Sequence, residues 1–329
     1  MYIYRNVPFE VVWRFGWKNI CAFLLYSIVL CALHHYLMKT WNFHLHIPFA
    51  LIGPVGVAVA IYASFKNGQS YDRTWEARKN WGGLTGATRI FGNQLVMFIG
   101  GDCSADIRII IDRQIAYLNA LKLQLRRRSP HSRKFSRSIQ KYYYGEPTQA
   151  QWEEEVKTRL SEEEYKQISG TTNKALQLLY FQNQHLRQLR EQHKIDEYKM
   201  MEMMRILESC FENQGKNERL KTSPFPRQYA FFSKSFIIIF ILILPLGILD
   251  LYSNYTVAGY TVICLLYTLV SWLYITIELV GDNSEDPFEN FITDIPMTAM
   301  IRNVEIDLYE MIKAPAVPAK IEHDNGVLM

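Results

Sequence analysis

Apolar positions in this chain collect in four long stretches that hold almost no charge, and the polar positions lie between and after them. A helix that crosses a bilayer needs about 20 consecutive apolar residues. The candidates are 19–38 (NICAFLLYSIVLCALHHYLM), 47–65 (IPFALIGPVGVAVAIYASF), about 230–250 around FIIIFILILPLGIL, and about 256–280 (TVAGYTVICLLYTLVSWLYITIELV). In the fourth, the single charge Glu278 falls near the end, where an interfacial position costs least.

In the polar part the pattern turns amphipathic. Residues 72–99 and 106–128 carry apolar side chains at i, i+3, i+4 spacing, including Ile107, Ile110, Ile111, Ile115, Leu118 and Leu121. A break at SPHSRKF follows, then a helix over 148–168, then a long one from 171 to about 215 with no proline and no glycine before Gly215. Prolines in KTSPFPRQY stop it before the third span. A last helix near 297–312 follows DIPM, and APAVPAKIEHDNGVLM reads as a flexible tail. The pattern therefore predicts an all-α membrane protein of four transmembrane helices plus a helical cytosolic domain. Its segments are 1–66 (spans one and two), 67–229 (cytosolic domain), 230–281 (spans three and four), 282–313 (a cytosolic segment and helix) and 314–329 (tail).

Basic residues set the orientation, because short cytoplasmic loops retain Lys and Arg. Arg5, Arg14 and Lys18 precede span one, and Lys66, Arg73, Arg78 and Lys79 follow span two. The first link holds only Lys39 among basic residues, and DLYSNY, the second, holds none. Both termini and the polar domain are expected in the cytoplasm of a multi-pass protein of the cell membrane. The first 20 residues lack the order of a signal peptide, so the N-terminus is expected to be kept.

Composition narrows the function. A net charge of +4 is too small to argue for nucleic acid. Five cysteines without a CxxC pair predict neither a disulfide framework nor a zinc site. No GxGxxG, P-loop, HExxH or GxSxG occurs, and the span centres hold almost no polar groups, so neither an enzyme nor a cofactor is expected.

Span two is the most informative. Gly56, Ala60 and Ser64 form a ridge of small residues, which lets helices approach closely in lipid. Val57, Ile61 and Phe65 form a parallel apolar stripe about 12 Å long. Either the stripe faces lipid or a neighbouring span, or several subunits meet there and it becomes three stacked apolar rings, a constriction that gates by dewetting. Pro54, beside Gly53, is expected to interrupt the helix and free backbone groups. Past the span, SYDRTWEARKNWGG crowds both signs of charge beside two tryptophans. Trp75, Arg78 and Trp81 at i, i+3, i+6 suggest a guanidinium stacked on indoles, worth roughly 0.5–2 kcal/mol. With Asp72, Arg73 and Glu76 placed to pair with neighbours, the stretch reads as a collar.

NGQSYDRTWEARKNWG resembles the segment after the second span of bacterial bestrophin-like proteins, and DPFENFITDIP at 286–296 resembles the segment after their fourth span. The order of spans and of the cytosolic insert matches over nearly the whole chain. The resemblance implies a homopentamer around one central pore, with small inorganic ions and membrane lipid as its other partners. It places three apolar neck rings on Val57, Ile61 and Phe65, and a second, cytosolic constriction on Ile195 of HKIDEY in the long helix. It makes chloride the default ion, carried passively. A cation-selective channel of the same fold and a non-conducting membrane sensor or scaffold remain as alternatives. N–H groups freed at Gly53 and Pro54, or the electropositive ring edges of Phe65, would attract an anion.

Animal members of that family bind calcium with acids after the fourth span. Asp282, Glu285, Asp286, Glu289 and Asp294 occupy that region here, interrupted by Pro287 and Phe288. They read either as hard-cation ligands or as a capping and subunit-contact segment. His34, His35, His44 and His46 flank the outer ends of spans one and two, as a metal site or as solvated side chains. The basic run 126–141 reads as a contact to anionic lipid or a partner, or as a solvated loop.

Overall fold

The charge-free stretches become helices because a backbone in lipid must satisfy its own hydrogen bonds. The computed structural model describes residues 1–4, 9–99, 104–129, 143–251, 255–324 and 326–328, without the side chains of 9–12, 14, 15 and 104. Arg5, Cys103 and most of the basic run 126–141 therefore lie outside the described residues, as does the side chain of Arg14. The elements are α1 (Phe9–Trp41), α2 (Phe49–Phe98), α3 (Ser104–Leu125), α4 (Gln149–Glu155), a 3-10 turn (Lys157–Arg159), α5 (Glu162–Ser169), α6 (Lys174–Glu191), α7 (Glu197–Thr222), α8 (Arg227–Leu251), α9 (Val257–Ser284) and α10 (Met297–Met311). Four of them, α1, α2, α8 and α9, are long and apolar enough to cross a membrane. The chain divides into two units.

The membrane unit comprises residues 4–73 and 225–286. Within it α9 packs on both α1 and α8. Its core joins Cys31 of α1, Ile52, Val59 and Ala63 of α2, Ile237, Phe240 and Leu244 of α8, and Ile263, Cys264 and Tyr267 of α9.

The polar unit comprises residues 1–3, 74–224 and 287–329. Its centre is α3, where Ile110, Ile111, Ile115, Leu118 and Leu121 are buried as their spacing predicts. Short helices around it start on strong caps. Thr148 and Gln151 form a capping box on α4, and Ser161 and Glu164 form one on α5. Each cap satisfies backbone donors that the first turn leaves open.

Three expectations need correction here. The helix over 148–168 is broken into α4, the 3-10 turn and α5, because Ser161 caps a new helix start. The single helix over 171–215 is two helices. Asp196 accepts from the Lys199 backbone N–H and starts α7, so α6 ends before it, with His193 at φ 60° in the connection. The tail is not free-running either. The Ile3 N–H donates to the Gly326 carbonyl at 2.8 Å, and the Leu328 N–H donates to the Met1 carbonyl at 2.9 Å.

Candidate functional site

Val57, Ile61 and Phe65 lie on one uninterrupted face of α2, and they are 61 %, 65 % and 64 % exposed in the single chain. Across the helix, Ile52, Val59 and Ala63 are buried in the membrane core. One subunit thus covers one side of α2 and leaves this stripe uncovered. The ridge of small residues splits. Gly56 is buried so closely against Phe240 that a β-carbon there would lie 2.8 Å from its ring, while Ala60 and Ser64 are exposed.

Pro54 does not interrupt the helix. It is the sixth residue of α2, and the helix runs unbroken to Phe98. The missing proline N–H removes one bond of the second turn, the one that would reach the Ala50 carbonyl, and the helix carries on past it. The start of α2 already has an acceptor, because the Phe49 N–H donates to Asp250 Oδ2 at 3.0 Å. Because the helix is continuous through Gly53 and Pro54, the interruption expected to free N–H groups there does not occur.

One residue past Phe65 stands a charge cluster that the sequence reasoning missed. Lys66 Nζ donates to Glu278 Oε1 at 2.6 Å, and each residue is 1 % exposed. Lys66 also pairs with Asp282. Ser233 Oγ donates to the second oxygen of Glu278 at 2.6 Å, and Asn67 Nδ2 donates to the Ile277 carbonyl at 2.9 Å. Gly281 admits Asn67, whose side chain occupies the place of a β-carbon. The foot of the stripe is thereby tied to α8 and α9. Glu278 is not interfacial, as its place near the span end suggested, but enclosed. The signal was available: Lys66 and Glu278 are the isolated charges at the same ends of two apolar runs.

The collar residues divide their work. Arg73 Nε donates to the Glu285 carbonyl at 2.9 Å within the membrane unit. Glu76 pairs with Arg219 at 2.9 Å in the polar unit. Asp72, Trp75 and Arg78 are exposed, while Trp81 is fully buried in the polar core. The expected stack of Arg78 on both indoles does not form. At 100° per residue, positions 75 and 81 sit about 120° apart around the helix, too far for one guanidinium to cover both. A cation does sit on a ring elsewhere, with the Arg108 guanidinium 4.2 Å from the centre of Tyr309.

The five acids do not converge. Asp282 belongs to Lys66 and Glu285 to Arg227 at 3.2 Å. Glu289 takes Lys221 at 2.7 Å. Asp294 accepts from the backbone N–H groups of Phe288, Asn290 and Ile295 at 3.0, 3.0 and 2.8 Å. Those bonds hold a turn in which Phe288 and Asn290 have positive φ, of 70° and 64°. Burial pushes the Asp294 carboxyl up, against those three donors, which favour its charge. Asp286 is half-buried. Among the described residues no group of three potential metal ligands comes together. The four histidines near the outer helix ends are not all solvated: His34 is buried, with Nδ1 2.9 Å from the Tyr260 hydroxyl.

Ile195 lies in the connection between α6 and α7, is 5 % exposed, and belongs to the polar core. A side chain enclosed by its own subunit is not available to line an aperture. Three residues on, at the start of α7, Tyr198 is 72 % exposed and Met201 follows it, also exposed.

Comparisons with known proteins agree with this architecture. The profile of the family described as Bacterial/Fungal Bestrophin protein matches residues 11–310. The voltage-dependent anion channel-forming protein RSc3414 of Ralstonia nicotianae is 25 % identical over 293 residues, covering 88 % of this chain and 85 % of that protein. The voltage-dependent anion channel-forming protein YneE of Escherichia coli is 26 % identical over 290 residues, covering 87 % and 85 %. The crystal structure of a bacterial bestrophin homolog from Klebsiella pneumoniae superposes with a TM-score of 0.74 at 23 % identity, over 90 % of this chain and 98 % of that one.

Proposed function

The chain belongs to the bacterial and fungal bestrophin family, and from that membership and the uncovered stripe on α2 we infer that it is a passive, anion-conducting channel of the membrane. The stripe carries the reading. Three apolar side chains on successive turns, exposed on one side of a membrane helix whose other side is packed, suit a helix that turns toward its symmetry mates. Five copies around an axis would stack these residues as three apolar rings, which pass ions only when wetted.

The sign of the ion rests on the relatives, which are named as anion channels. Asp250 already occupies the start of α2, so a helix-end field adds nothing to that argument. The Phe65 ring edges remain as the local feature that favours an anion. The backbone pairing of residues 1–3 with 326–328 supports placing both termini on one side, with the polar domain, in the cytoplasm of the cell membrane. The second, cytosolic constriction moves in this reading from Ile195 to Tyr198.

The deciding experiment is the reversal potential of the purified protein in a planar bilayer under a KCl gradient. Reversal near the chloride equilibrium potential supports the anion channel. Reversal near the potassium potential keeps the pore and overturns its sign. Absence of current from folded protein that elutes as a monomer or dimer overturns the channel and favours the scaffold.

A further inference from the structure

Two of the five cysteines, far apart in sequence, meet in the membrane unit. Cys31 Sγ of α1 and Cys264 Sγ of α9 are 3.7 Å apart, and both residues are buried. A cavity of about 450 Å³ opens onto both, walled by Leu24, Ile28, Ala32 and Leu265. We propose that Cys31 and Cys264 form a redox modification site, closing reversibly to a disulfide that links α1 to α9.

The geometry supports the step. A disulfide needs sulfurs about 2.05 Å apart. The two thiols already touch, and the bond requires the sulfurs to approach by about 1.7 Å more. The oxidant is a small neutral peroxide, such as hydrogen peroxide, and the cavity is large enough to admit it. One sulfur attacks a peroxide oxygen, the O–O bond breaks, and that thiol becomes a sulfenic acid as one water leaves. The second sulfur attacks the sulfenic sulfur, the S–O bond breaks, and a second water leaves with the remaining thiol proton. Two thiols and one peroxide thus give one disulfide and two waters. An apolar site slows the first attack, because the thiolate is the better nucleophile. The neighbouring thiol then captures the sulfenic acid before further oxidation, since it is held in contact. Cys21, on the same helix but exposed, has no such neighbour among the described cysteines and serves as the internal control.

The test uses the full-length protein in detergent, treated with hydrogen peroxide, denatured, and alkylated with N-ethylmaleimide. The expected result is the loss of two of the five maleimide additions that the reduced chain takes. Peptide mapping then finds the segments of Cys31 and Cys264 joined, and dithiothreitol releases them. Cys21→Ser leaves this crosslink unchanged, and Cys31→Ser abolishes it. Recovery of Cys31 and Cys264 as separate maleimide adducts, or as sulfinic acids, overturns the proposal. So does a crosslink that runs only through Cys21 between chains. The map is made on the unsubstituted protein, so the result does not depend on any variant folding.

Discussion

Lys66 Nζ and Glu278 Oε1 lie 2.6 Å apart, both enclosed, directly beneath Phe65. An ion pair so placed is poor evidence of net stability, because desolvation offsets its attraction. Breaking it is a different matter. Lys66→Met leaves Glu278 and Asp282 facing one another without a cation. We expect that variant to lose about 3–5 kcal/mol, and Lys66→Met with Glu278→Leu to recover much of the loss. Thermal melting in detergent measures both. A single variant that melts with the parent would show that the pair has no such role.

The stripe makes a prediction about current. Replacing Val57, Ile61 and Phe65 together by Ala widens and wets three rings at once. Single-channel conductance should rise. These side chains are uncovered in the subunit, so the loss of subunit packing should be small. Unchanged unitary current in the triple variant would remove the stripe as the constriction.

Ile195 and Tyr198 should separate stability from conduction. Ile195→Ala opens a cavity in the polar core and should cost about 2–5 kcal/mol. Tyr198→Ala removes an exposed ring and should change subunit stability by no more than about 0.5 kcal/mol. Its effect belongs in the permeability ratios among anions of different size. If Ile195→Ala changes those ratios at unaltered stability, the assignment reverts to Ile195.

Lys122 makes the polar unit sensitive to alkaline pH. Its ammonium is enclosed 2.6 Å from Glu155, and burial pulls its pKa down to about 8. The unfolded chain holds that proton until about pH 10.4. Between the two values the unfolded state binds more protons, so the Lys122 contribution to stability rises with pH, by up to about 3 kcal/mol. Below pH 8 the penalty is fully present. Lys122→Met should remove this rise. Denaturation midpoints of both proteins at pH 7.5 and 9.5 measure the difference, and equal slopes would refute it.

Sequence alone determined what depends on neighbours along the chain. Four spans follow from composition over about 20 residues, since a bilayer tests that length. The helix periodicity of α3 and the boxes at Thr148 and Ser161 are equally local. Asp196 was legible in the same way, as an N-cap residue, and the absence of Gly and Pro hid it. That Val57, Ile61 and Phe65 share one face follows from a spacing of four residues on one helix, whereas the packing of the other spans decided that this face is uncovered.

Tertiary structure decided what depends on residues far apart. Lys66 meets Glu278 across 212 positions, and Cys31 meets Cys264 across 233. No period of 3.6 residues carries such information. Whether a lone charge at a span end faces lipid headgroups or a counter-charge depends on which helix packs beside it. Ile195 shows the same limit in reverse: its apolar character is legible, but enclosure by its own subunit is a property of the packed core. Pro54 stays helical because it falls in the first turns of α2, and that start is set by Asp250 from another helix.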